Sequence, residues 1–308
     1  MDALFIPLSL AAGALLAVQA GANAQLAKAI RSSFAATTLQ LGVGALLLLI
    51  LSVLSGSVWA LSLLPDARWW HALGGVASAF YVVSGILLFP RIGAVVSVGL
   101  FIAGQILAST ALDVFGLLGV TATGLRPGVA MGAAMVMTGA TLIVLGQRGA
   151  HGEVAPVRLG WITLALLAGA VLPSQGAVNA LLMHDLSGAT FSVGTVSFVA
   201  ATLAMALAQI GATALPGAAT PILNGLSSMP WWGWLGGFAG AAYVTTVFTA
   251  IPALGAATTV GLTVAGQQVA SVFVDKHGWF RLPQRPVSTT RLIGVALLLA
   301  GVGVIKLI

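Results

Sequence analysis

The 308-residue chain holds 12 Lys and Arg, 6 Asp and Glu and 4 His, for a formal net charge of +6, and no cysteine. Charged residues make up 6% of it and apolar residues 59%, whereas an ordinary soluble domain is about 25% charged, so a soluble fold is excluded. Without cysteine there is no disulfide, iron–sulfur or thiolate–zinc chemistry, and scattered basic residues with no aromatic-interleaved cluster exclude nucleic acid as a partner.

Long apolar runs and a mean hydropathy of +1.09 predict an all-α polytopic protein with the lipid bilayer as its medium. Each span needs about 20 apolar residues. Ten segments meet this: Leu4–Ala24, Ser33–Leu54, Trp69–Phe89, Gly93–Phe115, Gly128–Leu145, Leu159–Leu181, Ser187–Gly211, Met229–Ile251, Gly255–Val274 and Ser288–Leu307. The most polar stretch, residues 147–158, reads as a linker between a first five-span half, residues 1–146, and a second, residues 159–308. Met1-Asp2-Ala3-Leu4 lacks the basic start of a secretory signal. Ala22-Asn23-Ala24 loosely resembles a cleavage site, but the same pattern recurs mid-chain and reads as structure.

Span one carries Gln19 and Asn23 one helical turn apart on one face, and span six repeats them as Gln175 and Asn179. Two uncharged pairs at matching depths point to a translocation site that recognises its solute by hydrogen bonds. Amides also serve as interhelical glue, worth roughly 1 kcal/mol per bond. Spans three and eight start with Trp69-Trp70 and Trp231-Trp232, suited to interface anchoring, and carry Tyr81 and Tyr243 deeper in, where they are candidates for cavity lining. Spans four and nine place Gln105, Gln267 and Gln268 mid-span, as partners for the amide pairs, and Asp113 and Asp275 near their ends. Each carboxylate has two readings: gating or ion coupling on its own side, with a proton or another ion as partner, or capping a loop and pairing with an Arg.

In span six, Pro173 removes a backbone hydrogen bond two residues before Gln175 and predicts a broken or kinked helix. Gly13-x-x-x-Ala17-x-x-x-Gly21 and Gly236-x-x-x-Gly240 read as close-packing faces. His71, His151, His184 and His277 fall at segment ends or in loops and read as solvated residues.

The halves are copies. Trp69-Trp70 before Gly74-Gly75 answers Trp231-Trp232 before Gly236-Gly237; Tyr81 answers Tyr243, Pro90 answers Pro252, Gly93 answers Gly255, and Arg126-Pro127 answers Arg285-Pro286. Five spans per copy turn the second copy over. With both termini outside, Lys28, Arg31, Arg91, Arg148, Arg158, Lys276, Arg281, Arg285 and Arg291 face the cytoplasm, against Arg68, Arg126 and Lys306 outside. That bias obeys the positive-inside rule. The expected fold is therefore ten transmembrane helices as two inverted five-helix repeats, joined by a cytoplasmic linker.

Two motifs carry a family resemblance: Gln-x-x-x-Asn in span one, and Gly-Gln followed eight residues later by Asp and then Gly. The second reads Gly104-Gln105…Asp113-Val114-Phe115-Gly116 and Gly266-Gln267…Asp275-Lys276-His277-Gly278. In these the chain resembles the YdcZ-type family of bacterial inner-membrane proteins, within the drug/metabolite transporter superfamily, as a fused pair of family domains. The resemblance implies antiparallel five-helix units, an inner-membrane location and transport of a small-molecule substrate.

No enzyme, cofactor or metal motif occurs: no H-E-x-x-H, G-x-S-x-G or G-x-x-x-x-G-K-[ST], and no His pair at ligand spacing. The leading expectation is a secondary transporter of a small neutral or zwitterionic solute, working by alternating access. Two alternatives remain: a proton-coupled exporter of organic cations, which needs Asp113 or Asp275 in the cavity, and a lipid-handling or structural membrane protein with a dry, filled centre.

Overall fold

Local signals set the helix ends. Ser32 is extended (φ −148°, ψ 116°), and its hydroxyl accepts from the Ala35 N–H at 3.2 Å, which starts the second helix where one orphan amide needs an acceptor. The chain's computed structural model describes residues 2–92, 94–147, 159–214, 220–282, 284 and 287–307. These form ten α-helices: α1 (Asp2–Ile30), α2 (Ser33–Leu54), α3 (Val76–Ile92), α4 (Ala94–Phe115), α5 (Pro127–Gln147), α6 (Leu159–Asp185), α7 (Thr190–Thr213), α8 (Leu235–Leu254), α9 (Ala256–His277) and α10 (Thr289–Leu307). No strand occurs among the described residues. Eight helical segments are long and apolar enough to cross a membrane; Pro127–Ile143 and Thr289–Ile305 are apolar but shorter.

Several boundaries differ from the expected ones. α1 runs on to Ile30, so Lys28 lies in its last turn, where a cation suits the helix dipole, rather than in a loop. Spans three and eight open as 3-10 turns, Trp69–Leu73 and Trp231–Trp234, before α3 and α8 begin. α6 continues unbroken through Pro173, which is buried among its neighbours. The expected break is absent, because packed helices tolerate one lost backbone bond. Residues 148–158, with His151, Arg148 and Arg158, lie outside the described residues, as do Gly93, Arg285 and Pro286.

The two halves exchange helices. α1 packs on α8 and α9, and α6 packs on α3 and α4, so each half places its first helix in the other. Glycines permit these crossings. A Cβ on Gly13 would fall 1.9 Å from the Thr263 carbonyl oxygen, and one on Gly266 1.9 Å from that of Leu10. In the other half, a Cβ on Gly169 would fall 2.1 Å from the Phe101 carbonyl oxygen, and one on Gly104 2.1 Å from that of Leu166. Each residue of the first crossing has its counterpart in the second, so the duplication extends to individual backbone contacts.

Corresponding helices also pair: α2 with α7, α4 with α9, and α5 with α10. Gly132 meets Gly301 and Gly139 meets Gly294, residue numbers rising along α5 as they fall along α10. α2 and α7 behave likewise, with Gly44 against Phe198, Leu48 against Gly194 and Ser52 bonded to Ser192. One apolar core gathers Leu48, Leu182, Phe198 and Phe248, and another gathers Ile102, Val136, Val264 and Leu298. Outward-facing Leu107, Leu203, Leu207 and Phe238 are exposed, as a lipid-facing surface requires.

Candidate functional site: two amide clusters and an open cavity

Helical spacing puts Gln175 and Asn179 on one face of α6, and both are buried. Ser78 donates to Gln175 Oε1 at 2.9 Å, and Asn179 Nδ2 donates to Ser197 Oγ at 3.0 Å. A Cβ on Gly74 would lie 2.2 Å from Asn179 Oδ1. That oxygen has no N–H or O–H donor and instead faces the glycine Cα.

α1 repeats the arrangement. Gly236 faces Asn23 Oδ1 and Gly240 faces Gln19 Nε2, where a Cβ would approach to 2.4 and 2.6 Å. Gln40 of α2 completes this cluster, donating to the Gly233 carbonyl at 2.6 Å and accepting from the Gly237 N–H at 2.6 Å. The two amide pairs are therefore not brought together. Each joins the first helix of one half to the third span of the other.

A cavity of about 850 Å³ opens at one end of the bundle, between residues 118–123, the C-terminal half of α6 and the α8–α9 junction. Ala177, Ala180, Leu181, Met183 and His184 of α6 line it, with Ser187 and Gly188 of the turn that follows. Neither Gln175 nor Asn179 lines it, although Met183, one turn beyond Asn179 on the same face, does. Thr121, Thr123, His184 and Ser187 supply polar groups, and Pro252 and Leu254 supply apolar wall.

Gly255, the sole residue between α8 and α9, adopts φ 84°, a conformation that favours glycine. It aims the first α9 amides at α4: Asp113 accepts from Ala256 and Ala257 N–H, both at 2.7 Å. Asp275 instead accepts from Arg291 at 2.7 Å, and Arg291 donates on to Ser271 at 3.0 Å.

Asp113 beside Ala256 and Ala257 also fixes the level of the antiparallel α4–α9 crossing. Equal rise then sets Gln105 level with Val264 and Ala265, and Gln267 level with Ile102 and Ala103. Gln105 and Gln268 are each 4% exposed. Their amides, like that of Gln267, make no hydrogen bond among the described residues. Tyr81 stacks obliquely on Phe101 with ring centres 4.9 Å apart, and Tyr243 is buried against the larger core.

One pairing is invisible in the sequence. His71 is buried, not solvated, and its Nδ1 contacts the Asp185 carboxylate across the two halves. The partners stand 114 residues apart, and the only hint is that each is an ionisable residue at the end of a span. Among the described residues no three of His, Cys, Asp and Glu cluster as a metal site requires.

The sequence matches the family described as "Putative inner membrane exporter, YdcZ" twice, over residues 4–142 and 160–304. The chain belongs to this YdcZ family. It is accordingly a multi-pass inner-membrane protein of the transporter class, with an internal duplication. No curated protein matches the chain. A solved protein crystal structure is similar at 19% identity, covering 98% of this chain and 95% of its own, with a TM-score of 0.65. That likeness concerns the fold alone.

Proposed function

We propose that this YdcZ-family protein is a secondary transporter that moves a small polar, neutral or zwitterionic metabolite by alternating access. Its ten helices form two inverted five-helix repeats across the membrane. The antiparallel contacts of α2 with α7 and α5 with α10 support the inversion, since a two-fold axis relating touching antiparallel helices lies across them. The bias of basic residues supports an orientation with both termini and the cavity mouth outside and the linker inside.

The observation that carries this reading is the cavity of about 850 Å³ opening at one end of a bundle whose halves match at their glycine crossings. A cavity that enters a duplicated frame from an end suits an access state. The substrate contacts are Gln105, Gln267 and Gln268, whose amides lie near the middle of the α4–α9 crossing and make no hydrogen bond among the described residues. The Gln19/Asn23 and Gln175/Asn179 pairs serve as joints between the halves. Both Asp113 oxygens are occupied by backbone amides, and Asp275 is neutralised by Arg291. Neither carboxylate offers a free charge to an organic cation, which favours the neutral or zwitterionic reading.

Purified protein screened by thermal shift against neutral metabolites, amino-acid-like zwitterions and cationic drugs tests the assignment. The account expects stabilisation by members of the first two groups, lost in Gln105→Ala and Gln267→Ala while the unliganded melting point is kept. Stabilisation by cations alone, weakening as pH falls, would overturn it.

A further inference from the structure

The loop after α4 and the loop after α9 share an uncommon backbone. Gly116 has φ 64° and Leu118 φ 53°; their counterparts Gly278 and Phe280 have φ 65° and φ 59°. A bulky side chain in the left-handed region is strained, and such strain persists where the surroundings impose it. At position 280 the side chain meets Gly21 of α1, and at position 118 it joins the core cluster that holds Ala177, the counterpart of Gly21 in α6.

The two ends are occupied differently. At one end Leu118 and Ala177 are walls of the open cavity. At the other, Phe280 lies on Gly21 so closely that a Cβ there would sit 2.4 Å from the ring. Trp232 meets the Phe280 ring edge-on with centres 5.6 Å apart, and the Arg281 guanidinium lies over Trp232 at 5.8 Å. The position equivalent to Arg281 in the open end is Gly119, which can make no such clasp.

We infer that residues 278–282 are the gate of the closed, linker-side end, with Phe280 as its plug, Gly21 as the seat and Arg281 on Trp232 as the clasp. This rests on the alternating-access reading above and names what holds one side shut. Opening that side lifts Phe280 off Gly21. At the other end, closure draws the loop that carries Leu118 further across the cavity it lines. The plug biases the protein toward the state that is open at the cavity, and weakening it shifts population toward the opposite state.

The absence of cysteine allows spin labels at equivalent sites without background. Ala122→Cys with His184→Cys spans the open end, and Gln284→Cys with Lys28→Cys spans the gated end; all four positions are exposed. Distances are read by double electron–electron resonance in lipid nanodiscs. The parent should show a longer separation across the open end than across the gated end.

Phe280→Ala should lengthen the gated-end distribution and shorten the other. Gly21→Ala, which pushes the ring off its seat, should do the same, and adding it to Phe280→Ala should change nothing more. Two variants guard against one that fails to fold, and each is first checked for parent-like elution. Unchanged distances in both variants would overturn the gate and leave the transporter reading standing. A gated end that lengthens while the open end stays fixed would support the gate and contradict alternating access.

Discussion

Asp113 and Asp275 hold the same position in their halves, each eight residues past a Gly-Gln, and they are held in opposed ways. Asp113 is 6% exposed and caps α9 through two backbone amides, as an anion at a helix start should. Asp275 is part-exposed and serves as counter-ion to Arg291, itself 2% exposed, on the neighbouring helix of its own half. The first carboxylate ties the two halves together, and the second braces one half internally. Duplication therefore kept the backbone frame, including its glycine crossings, while the side chains at the two ends diverged. An asymmetric pair of ends on a symmetric frame is what a protein with distinct outer and inner gates needs.

Substitutions at five positions would break or sharpen this comparison. Asp275→Ala should have the largest effect, because it strands the buried Arg291 charge; breaking such a pair costs about 3–5 kcal/mol. A loss smaller than that of Asp113→Ala in detergent unfolding would reverse the ranking. Next come Gly13→Ala and Gly169→Ala, where the methyl group meets a carbonyl of the crossing helix and overpacking costs about 1–3 kcal/mol. Because the crossings correspond, the two variants should lose similar melting temperature, and a large difference would argue against a matched frame.

Asp113→Ala removes a cap worth about 0.5–2 kcal/mol, and Asp113→Asn should recover part of that, since one acceptor oxygen remains. Smallest is Asn179→Ala, which gives up its bond to Ser197 at about 0.6 kcal/mol. It should leave solute binding intact, because Asn179 is engaged by Ser197 and does not line the cavity. Loss of binding at unchanged stability would return this amide to the substrate site.

Much of the frame is legible in the sequence because lipid imposes length. Ser33–Leu54 is bounded alike by its apolar run and by its helix, since Ser32 marks the start with a cap. The duplication is legible too, since Gly and Trp recur at one register. What sequence hides is which faces meet. α1 is apolar on nearly every side, so no periodicity tells that it packs on α8 and α9. Gln19 and Asn23 are recognisable as a pair, yet only the fold shows that Gly236 and Gly240 receive them. The same limit hides His71 and Asp185, whose pairing depends on how α6 is inserted into the first half.

The most direct test concerns Lys28 and His184, equivalent positions near the C-terminal ends of α1 and α6. Each is replaced singly by cysteine and probed with a membrane-impermeant maleimide in intact and in permeabilised cells. Inverted repeats with outer termini predict that His184→Cys is labelled in intact cells and Lys28→Cys only after permeabilisation. Labelling of both from the same side would contradict the account.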